Sequence, residues 1–320
     1  MKRKYDFLKE PWGANIIIVL LLSVALWAAY NLLHTGEEKT MPRVSVIVED
    51  SSSERWTAFR LGIDQAAREY GVDVAFIASP EFEGAWDQKN LISQEAASGA
   101  DALILSLYDS EMTEIGSNTV KIVFVETDGI RDSSVGTAAV VPSGRKMGEA
   151  LGEMLLKERG SAPQVAVFAG NLLRYSEKEM LQGLTETVEG AGGSILLLET
   201  DRADMESALA KAREADAIAV LEDTLLMRAA ELSVSQGLPG GRLFGIGCSP
   251  SNISYLDRGV ISGMVIPNEF TMGYQSLAQL SRCLSNDIPV MKDIEIGFSG
   301  VLTEEVHDPE NEKLLFPVVQ

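Results

Sequence analysis

The chain has 320 residues with 47 Asp and Glu against 27 Lys and Arg, and a formal charge of −20 disfavours nucleic acid or an anionic lipid surface as a partner. A hydrophobic content of 46% excludes a disordered chain, and no low-complexity segment or internal repeat interrupts it. The two histidines stand at His34 and His307, one near each end, so no histidine triad or zinc cluster assembles from the middle of the chain and no cofactor is implied.

Residues 1–13 carry Lys2, Arg3, Lys4 and Lys9, and residues 14–33 form a nearly unbroken apolar run. As a helix, those twenty residues extend about 30 Å at about 1.5 Å each, enough for the hydrocarbon of a bilayer. The basic residues precede the run and Glu37 and Glu38 follow it, so the charge asymmetry puts the N-terminus in the cytoplasm and exports the rest. A cleaved signal peptide is the competing reading, but Trp27-Ala28-Ala29-Tyr30-Asn31 offers no clear small-x-small site. An uncleaved transmembrane anchor is therefore expected, with Trp12, Trp27 and Tyr30 as interfacial residues or ordinary membrane-helix composition, and a linker over 34–42. The cysteines stand at Cys248 and Cys283, so none is placed near the run for lipid attachment.

From residue 43 short apolar runs alternate with amphipathic ones, the pattern of an α/β fold with parallel sheets. Strands are predicted over 44–49, 73–78, 102–107 and 121–125, with helices over 56–70 and 87–98 and a helical turn near 111–116. Phe59, Ile63, Ala66 and Ala67 form the inward face of the first of these helices, and Gly71 ends it. After a linking stretch containing Gly129 and Gly136, helices are predicted over 143–159, 176–191, 204–215, 224–236 and 270–285. Strands are predicted over 165–169, 194–199, 217–221, 243–246 and 263–266. Ligands of open parallel sheets bind beyond the carboxyl ends of the strands, which singles out 50–56, Tyr108, Asp109, 126–131, 170–175, Glu222, Asp223 and 247–249.

Several segments in this order carry a resemblance. They are Val44-Ser45-Val46-Ile47-Val48, Gly99-Ala100-Asp101-Ala102-Leu103-Ile104-Leu105, Lys121-Ile122-Val123-Phe124-Val125-Glu126 and Gln182-Gly183-Leu184. Asp216-Ala217-Ile218-Ala219-Val220-Leu221-Glu222-Asp223, Leu243-Phe244-Gly245-Ile246-Gly247 and Leu256-Asp257-Arg258-Gly259-Val260-Ile261-Ser262-Gly263 continue it. Over about 43–303 the chain resembles the sugar-binding periplasmic proteins of the ribose- and galactose-binding type, whose core is shared with the effector domains of LacI-type repressors. The resemblance implies a type 1 periplasmic-binding-protein fold: two doubly wound parallel-sheet lobes joined by a hinge of three crossings, with the ligand between them. The crossings fall near 126–137, Pro267 and Ile296. The first lobe is then 43–126 plus 268–295, and the second 127–267 plus 296–320. Cys248 and Cys283 are assigned to different lobes, against a disulfide.

Carried over residue by residue, the resemblance puts Ser53, Arg55 and Trp56 at the polar-then-aromatic position after the first strand, with the Trp56 indole able to stack on a sugar face. Glu126 matches the carboxylate after the fourth strand, Glu222-Asp223 the amide-then-Asp pair of the second lobe, and Asn268 a polar residue after the second crossing. Tyr108, Asn171 and Arg174 join them from strand-end loops. Two positions depart from the family pattern. Met180 replaces an arginine and Gly247 an aspartate, with Arg174 and Lys178 close enough to compensate.

Each residue also has a plainer reading. Trp56 can be a core aromatic at a helix start, Asp223 a helix cap, Asp109 or Ser110 a cap of the turn that follows, and the remaining polar residues solvated loop ends. Met112, Met147, Met154, Met180 and Met205 read as packing or surface residues. Gly-x-Ser-x-Gly, the P-loop and the full dinucleotide fingerprint are missing, which leaves a carboxylate-pair hydrolase ranked below binding. The expected function is non-enzymatic. A membrane-anchored solute-binding protein would capture a small polar, sugar-like ligand for an ABC-type permease, or a ligand-sensing accessory would dock on a receptor such as a histidine kinase.

Overall fold

The computed structural model describes residues 11–34, 41–79, 82, 84–112, 120–126, 136–236 and 241–315. Two compact units separate along the chain, Met1–Met41 and Pro42–Gln320. In the first unit the expected apolar run is one helix, α1 (Pro11–His34), with side chains described at 15, 16 and 18–30. Among the described residues no helix is long and apolar enough to cross a membrane.

The second unit opens with β1 (Arg43–Ile47), a 3-10 turn (Glu54–Trp56), α2 (Thr57–Tyr70), β2 (Asp73–Phe76) and α3 (Ala85–Ala97). Next come β3 (Ala102–Leu105), β4 (Lys121–Val125), β5 (Thr137–Pro142), α4 (Gly144–Arg159), β6 (Gln164–Ala169), α5 (Tyr175–Gly190) and β7 (Ser194–Glu199). The series continues with α6 (Met205–Lys211), β8 (Ala217–Val220), α7 (Asp223–Gln236), β9 (Leu243–Ile246), α8 (Pro250–Asp257) and β10 (Gly263–Pro267). It closes with α9 (Glu269–Leu284), β11 (Ile294–Ile296), β12 (Phe298–Leu302) and α10 (Pro309–Leu315).

The strands form two six-stranded sheets of the same order, β2-β1-β3-β4-β5-β11 and β7-β6-β8-β9-β10-β12. All pairings are parallel except β10 with β12. Parallel strands covered on both faces must be apolar on both. Accordingly Val44, Val46, Ile104 and Val123 feed one core of the first sheet while Ile47, Leu103, Leu105 and Phe124 feed the other. The second sheet divides likewise, with Phe168, Ile218 and Met264 on one face and Val167, Ala219 and Val265 on the other.

Helix α2 follows its predicted face, with Phe59, Ile63 and Ala66 fully buried and Ala67 partly so, and Gly71 caps it in the left-handed conformation (φ 64°). Each lobe pins one helix pair by glycine contact. A Cβ on Gly62 would strike the Phe270 carbonyl, and one on Gly273 the Phe59 carbonyl, where α2 meets α9. Where α4 meets α5, Gly148 and Gly183 stand in the same relation to the carbonyls of Met180 and Arg145. The two halves thus share sheet order and a glycine-packed helix pair.

Several expectations are corrected. Thr137–Pro142, assigned to the second lobe, is β5, which pairs with β4 and belongs to the first sheet. The first-lobe strands therefore extend past 126, and the first crossing lies at Pro142 to Gly144 rather than at 126–137. The other two crossings run from Pro267 to Glu269 and from Ile296 to Phe298. β5 is short and opens on the small residues Ala138 and Ala139, and its place in the first sheet is set by its pairing with β4. Helix α8, the short strands β11 and β12, and α10 were also unpredicted. The helical turn near 111–116 falls largely outside the described residues.

Candidate functional site

The strand order of each sheet reverses beside its first strand, between β1 and β3 and between β6 and β8. At such a point successive loops diverge and leave a crevice. In this fold the two crevices open toward one another, and their loops meet in an interlobe cleft with an inner and an outer chamber. The inner chamber, of about 60 Å³, is lined by the carboxyl groups of Glu126, Glu177, Glu222, Asp223 and Glu269 and by the guanidinium groups of Arg55 and Arg174. Met147, Met180, Leu221 and Ile246 supply apolar wall. The outer chamber, of about 310 Å³, shares Arg55, Arg174, Glu177 and Glu222 and adds Glu49, Tyr108, Asn171 and Arg202.

Arg55 leaves the 3-10 turn toward the cleft, where its guanidinium pairs with Glu126 of its own lobe and lies 3.8 Å from Glu222 of the other. Ser106 Oγ donates to the second Glu126 oxygen at 2.6 Å, so both oxygens are held. Glu126 has φ 61° and Asp50, beside the outer chamber, φ 42°. Side chains other than glycine rarely occupy that region, and such strain gathers at functional loops.

Arg174 mirrors Arg55 from the second lobe, pairing with Glu49 across the cleft and lying 3.9 Å from Glu177. Further contacts join the lobes. Asn171 Nδ2 donates to the Tyr108 carbonyl at 2.8 Å, the Tyr175 amide donates to Ser110 Oγ at 2.7 Å, and Arg202 lies 3.7 Å from Asp50.

The carboxylates at the base have helical and strand-end supports. Glu222 accepts from the Leu225 amide (2.8 Å) and Thr224 Oγ1 (2.5 Å), capping α7. Asp223, expected as the cap, instead accepts from the amides of Cys248 (2.6 Å) and Ser249 (2.9 Å) and ties the end of β9 to α7. A side chain on Gly247 would strike Asp223 Oδ2 at 2.7 Å, so the aspartate of the family pattern has no room there. Glu177 accepts from the Gly170 and Asn171 amides through Oε2 at 3.0 and 3.1 Å. Among the described residues, Glu177 Oε1, Glu269 Oε2, Arg55 Nε and Arg174 Nε are buried without hydrogen-bond partners.

Burial sets the protonation of this base. Desolvation pushes the Glu177 carboxyl up to about 7 against the opposing Arg174 charge, with Glu222 adding to the rise. Glu269 is likewise raised to about 7 by desolvation, opposed by Arg55 and reinforced by Asp223. Desolvation also raises Asp223, and it raises the Cys248 thiol with help from Glu269 and Asp223.

Of the sequence-named residues, the cleft gathers Arg55, Tyr108, Glu126, Asn171, Arg174, Glu222 and Asp223. Three others lie elsewhere. Trp56 is 1% exposed in the core of the first lobe, its Nε1 donating to the Glu49 carbonyl at 3.1 Å and one ring face covered by Arg55 at 4.2 Å. Its stacking role is withdrawn and the core-aromatic reading holds. Asn268 is an exposed cap of α9, accepting from the Thr271 amide at 2.9 Å. Ser53 precedes the 3-10 turn with no side-chain cap bond and lines neither chamber.

Glu49, Glu177 and Glu269 were missed. Glu177 and Glu269 stand in the first turns of α5 and α9, where an acid ordinarily reads as complementing the helix dipole. Glu49 was read as the last residue of a strand. The methionines Met112, Met147, Met154, Met180 and Met205 are all buried, Met147 and Met180 in the chamber wall.

The periplasmic binding protein domain model matches residues 44–287, most of the two-lobed unit. The chain belongs to that family. Among solved structures it is similar to GanP, a glucose-galactose binding protein from Geobacillus stearothermophilus, at 19% identity, covering 83% of this chain and 99% of that one with a TM-score of 0.72. An ABC transporter solute binding protein from Agrobacterium vitis with bound D-fucose matches at 17% identity, covering 84% and 98%, with a TM-score of 0.74. A carbohydrate transporter solute binding protein from Agrobacterium radiobacter in complex with D-arabinose matches at 16%, covering 86% and 99%, with a TM-score of 0.75. No curated protein matches the chain. These likenesses establish the type 1 binding-protein fold, and membership of a binding-protein family makes the chain a non-enzyme.

Proposed function

We propose that this periplasmic binding protein is a membrane-anchored, extracytoplasmic solute-binding protein that captures a small polar, sugar-like ligand between its lobes and delivers it to an ABC-type permease. The observation that carries this reading is the set of unpartnered buried groups around the inner chamber. Arg55 Nε and Arg174 Nε lack acceptors, while Glu177 Oε1 and Glu269 Oε2 lack donors. A hydroxyl both donates and accepts, so a polyhydroxylated molecule complements all four. Solved neighbours hold D-fucose and D-arabinose, which supports a sugar-like solute here. Contacts to both lobes stabilise the closed arrangement over the open one, which is how binding becomes a signal to a membrane partner.

Anchoring is supported by the sequence of α1, in which residues 14–33 form a nearly unbroken apolar run. Lys2, Arg3, Lys4 and Lys9 on its N-terminal side support a cytoplasmic N-terminus. The eight residues 35–42 tether the binding unit to α1. That short tether equally suits the second reading, an accessory reporting to a receptor such as a histidine kinase. Loss of solute uptake on gene deletion supports delivery; retained uptake with loss of a transcriptional response to the solute supports sensing.

The direct test is a thermal-shift series on the full chain in detergent against neutral sugars and polyols. A ligand at a hundred times its Kd adds about 2.7 kcal/mol of stability. A saturable rise in Tm that is lost in Glu222→Gln supports capture, and a flat response to hydroxylated solutes of every kind refutes it.

A further inference from the structure

The inner chamber is charged beyond what a neutral sugar requires. Arg55 is engaged by Glu126 and Glu222, and Arg174 by Glu49 and Glu177. Each of the two cations in the chamber wall is thus already shared between carboxylates. Asp223 and Glu269 face the same space with no ion pair of their own among the described residues. Asp223 is 6% exposed and satisfied only by two backbone amides, and Glu269 is 4% exposed with Oε2 unpartnered. Glu177, 3% exposed, leaves Oε1 without a donor on the Arg174 side. Buried carboxylates without cations are costly, and a bound cation removes that cost.

The chambers also differ in size. The inner one, at about 60 Å³, admits a small polar head and no sugar ring, whereas the outer one, at about 310 Å³, has room for a ring or an extended polyol. They share Arg55, Arg174, Glu177 and Glu222, so one molecule can lie across both. The apolar wall from Met147, Met180, Leu221 and Ile246 lowers the local polarity and so strengthens any ion pair formed there.

We propose that the ligand is a hydroxylated amine, whose ammonium group enters the inner chamber against Asp223, Glu269 and Glu177 while its hydroxylated body occupies the outer chamber. The proposal rests on the solute-capture reading and narrows it. An ammonium has three donors and no acceptor, matching the free oxygens of Glu177 and Glu269, while hydroxyls of the same molecule accept from Arg55 Nε and Arg174 Nε. A neutral hydroxyl in the same place hydrogen-bonds one carboxylate and leaves the charge of the others uncompensated.

The test is calorimetric titration of the full chain in detergent with paired ligands differing at one group: D-glucosamine with D-glucose, D-galactosamine with D-galactose, and the N-acetylated forms as uncharged nitrogen controls. The amines are expected to bind on the order of 10- to 100-fold more tightly than their hydroxyl and acetamido counterparts. Glu269→Gln is expected to erase that preference, the amines falling to the affinity of their hydroxyl counterparts. Asp223→Asn provides a second variant should the first fail to fold, with circular dichroism confirming the fold of each. Neutral sugars binding as well as or better than the amines overturn the charge assignment and leave solute capture standing. Absence of binding by every ligand, with the protein folded, overturns the assignment together with the capture reading. An amine preference unaltered in both folded variants also overturns it, by placing the charge recognition elsewhere.

Discussion

Arg55 and Trp56 are neighbours in the chain whose side chains stay stacked at 4.2 Å while serving different surroundings. The guanidinium turns to the cleft and the indole to the core beside Phe59, at 5.5 Å between ring centroids. Trp56→Ala is therefore expected to cost about 3–5 kcal/mol of stability. The folded fraction keeps its ligand affinity, which urea melts combined with titration at low temperature separate. Arg174→Ala acts between the lobes rather than within one core. It strips the cation from Glu49 across the lobes and from Glu177 beside it, and breaking a buried pair costs about 3–5 kcal/mol. The loss is read as a lowered urea midpoint, and small-angle scattering should show a more open pair of lobes. A midpoint unchanged within error would mean that the pair contributes nothing to holding the lobes together. Glu126, Arg174 and Glu222 were legible because they follow predicted strands. Glu177 and Glu269 were not, because an acid in a first helical turn has the same sequence signature whether it meets solvent or a buried chamber.

The elements themselves were mostly legible. Buried parallel strands are short apolar runs and the helices carry one apolar face, both local patterns set by the chain's own geometry. What escaped were elements defined by their partners. β5, β11 and β12 are edge or near-edge strands whose apolar stretches are short, at most about four residues each. The glycines of the helix pairs show the same limit. Gln182-Gly183-Leu184 carried the family resemblance, and the contact with the Arg145 carbonyl supplies its physical reason. Gly183→Ala and Gly273→Ala are each expected to force their helix pair apart, at a cost of about 1–3 kcal/mol or more. Differential scanning calorimetry should show a fall of about 2–4 °C in Tm per kcal/mol. Gly190→Ala, whose added carbon meets no atom within 4 Å, serves as the neutral control.

At the scale of the whole molecule, the buried acids make ligand-free stability depend on pH. Glu177 and Glu269 ionise near 7 in the folded protein, against an ordinary value of 4.5. The folded state therefore binds protons more tightly than the unfolded one between those values. Their contribution is fully present below about 4.5 and is lost as pH rises through about 7, on the order of 3 kcal/mol for each group. The Tm of the ligand-free protein should fall across that window, and Glu269→Gln should flatten the fall. A Tm that stays level or rises from pH 4.5 to 7 would show that neither carboxyl is raised in the folded protein.

The sequence by itself determined the alternation of strands and helices, the division into two similar halves, the apolar N-terminal segment and the strand ends from which a site is built. These follow from hydrophobic periodicity and chain order, which act over a few residues at a time. Only the tertiary structure decided that Trp56 is core while Arg55 is cleft, that Asp223 braces β9 while Glu222 caps α7, and that Glu177 and Glu269 share a chamber with Arg55 and Arg174. Those outcomes depend on which way a side chain leaves its backbone and on which distant loops the two sheets bring together. Glu49 and Arg174, paired across the cleft, stand 125 positions apart in the chain.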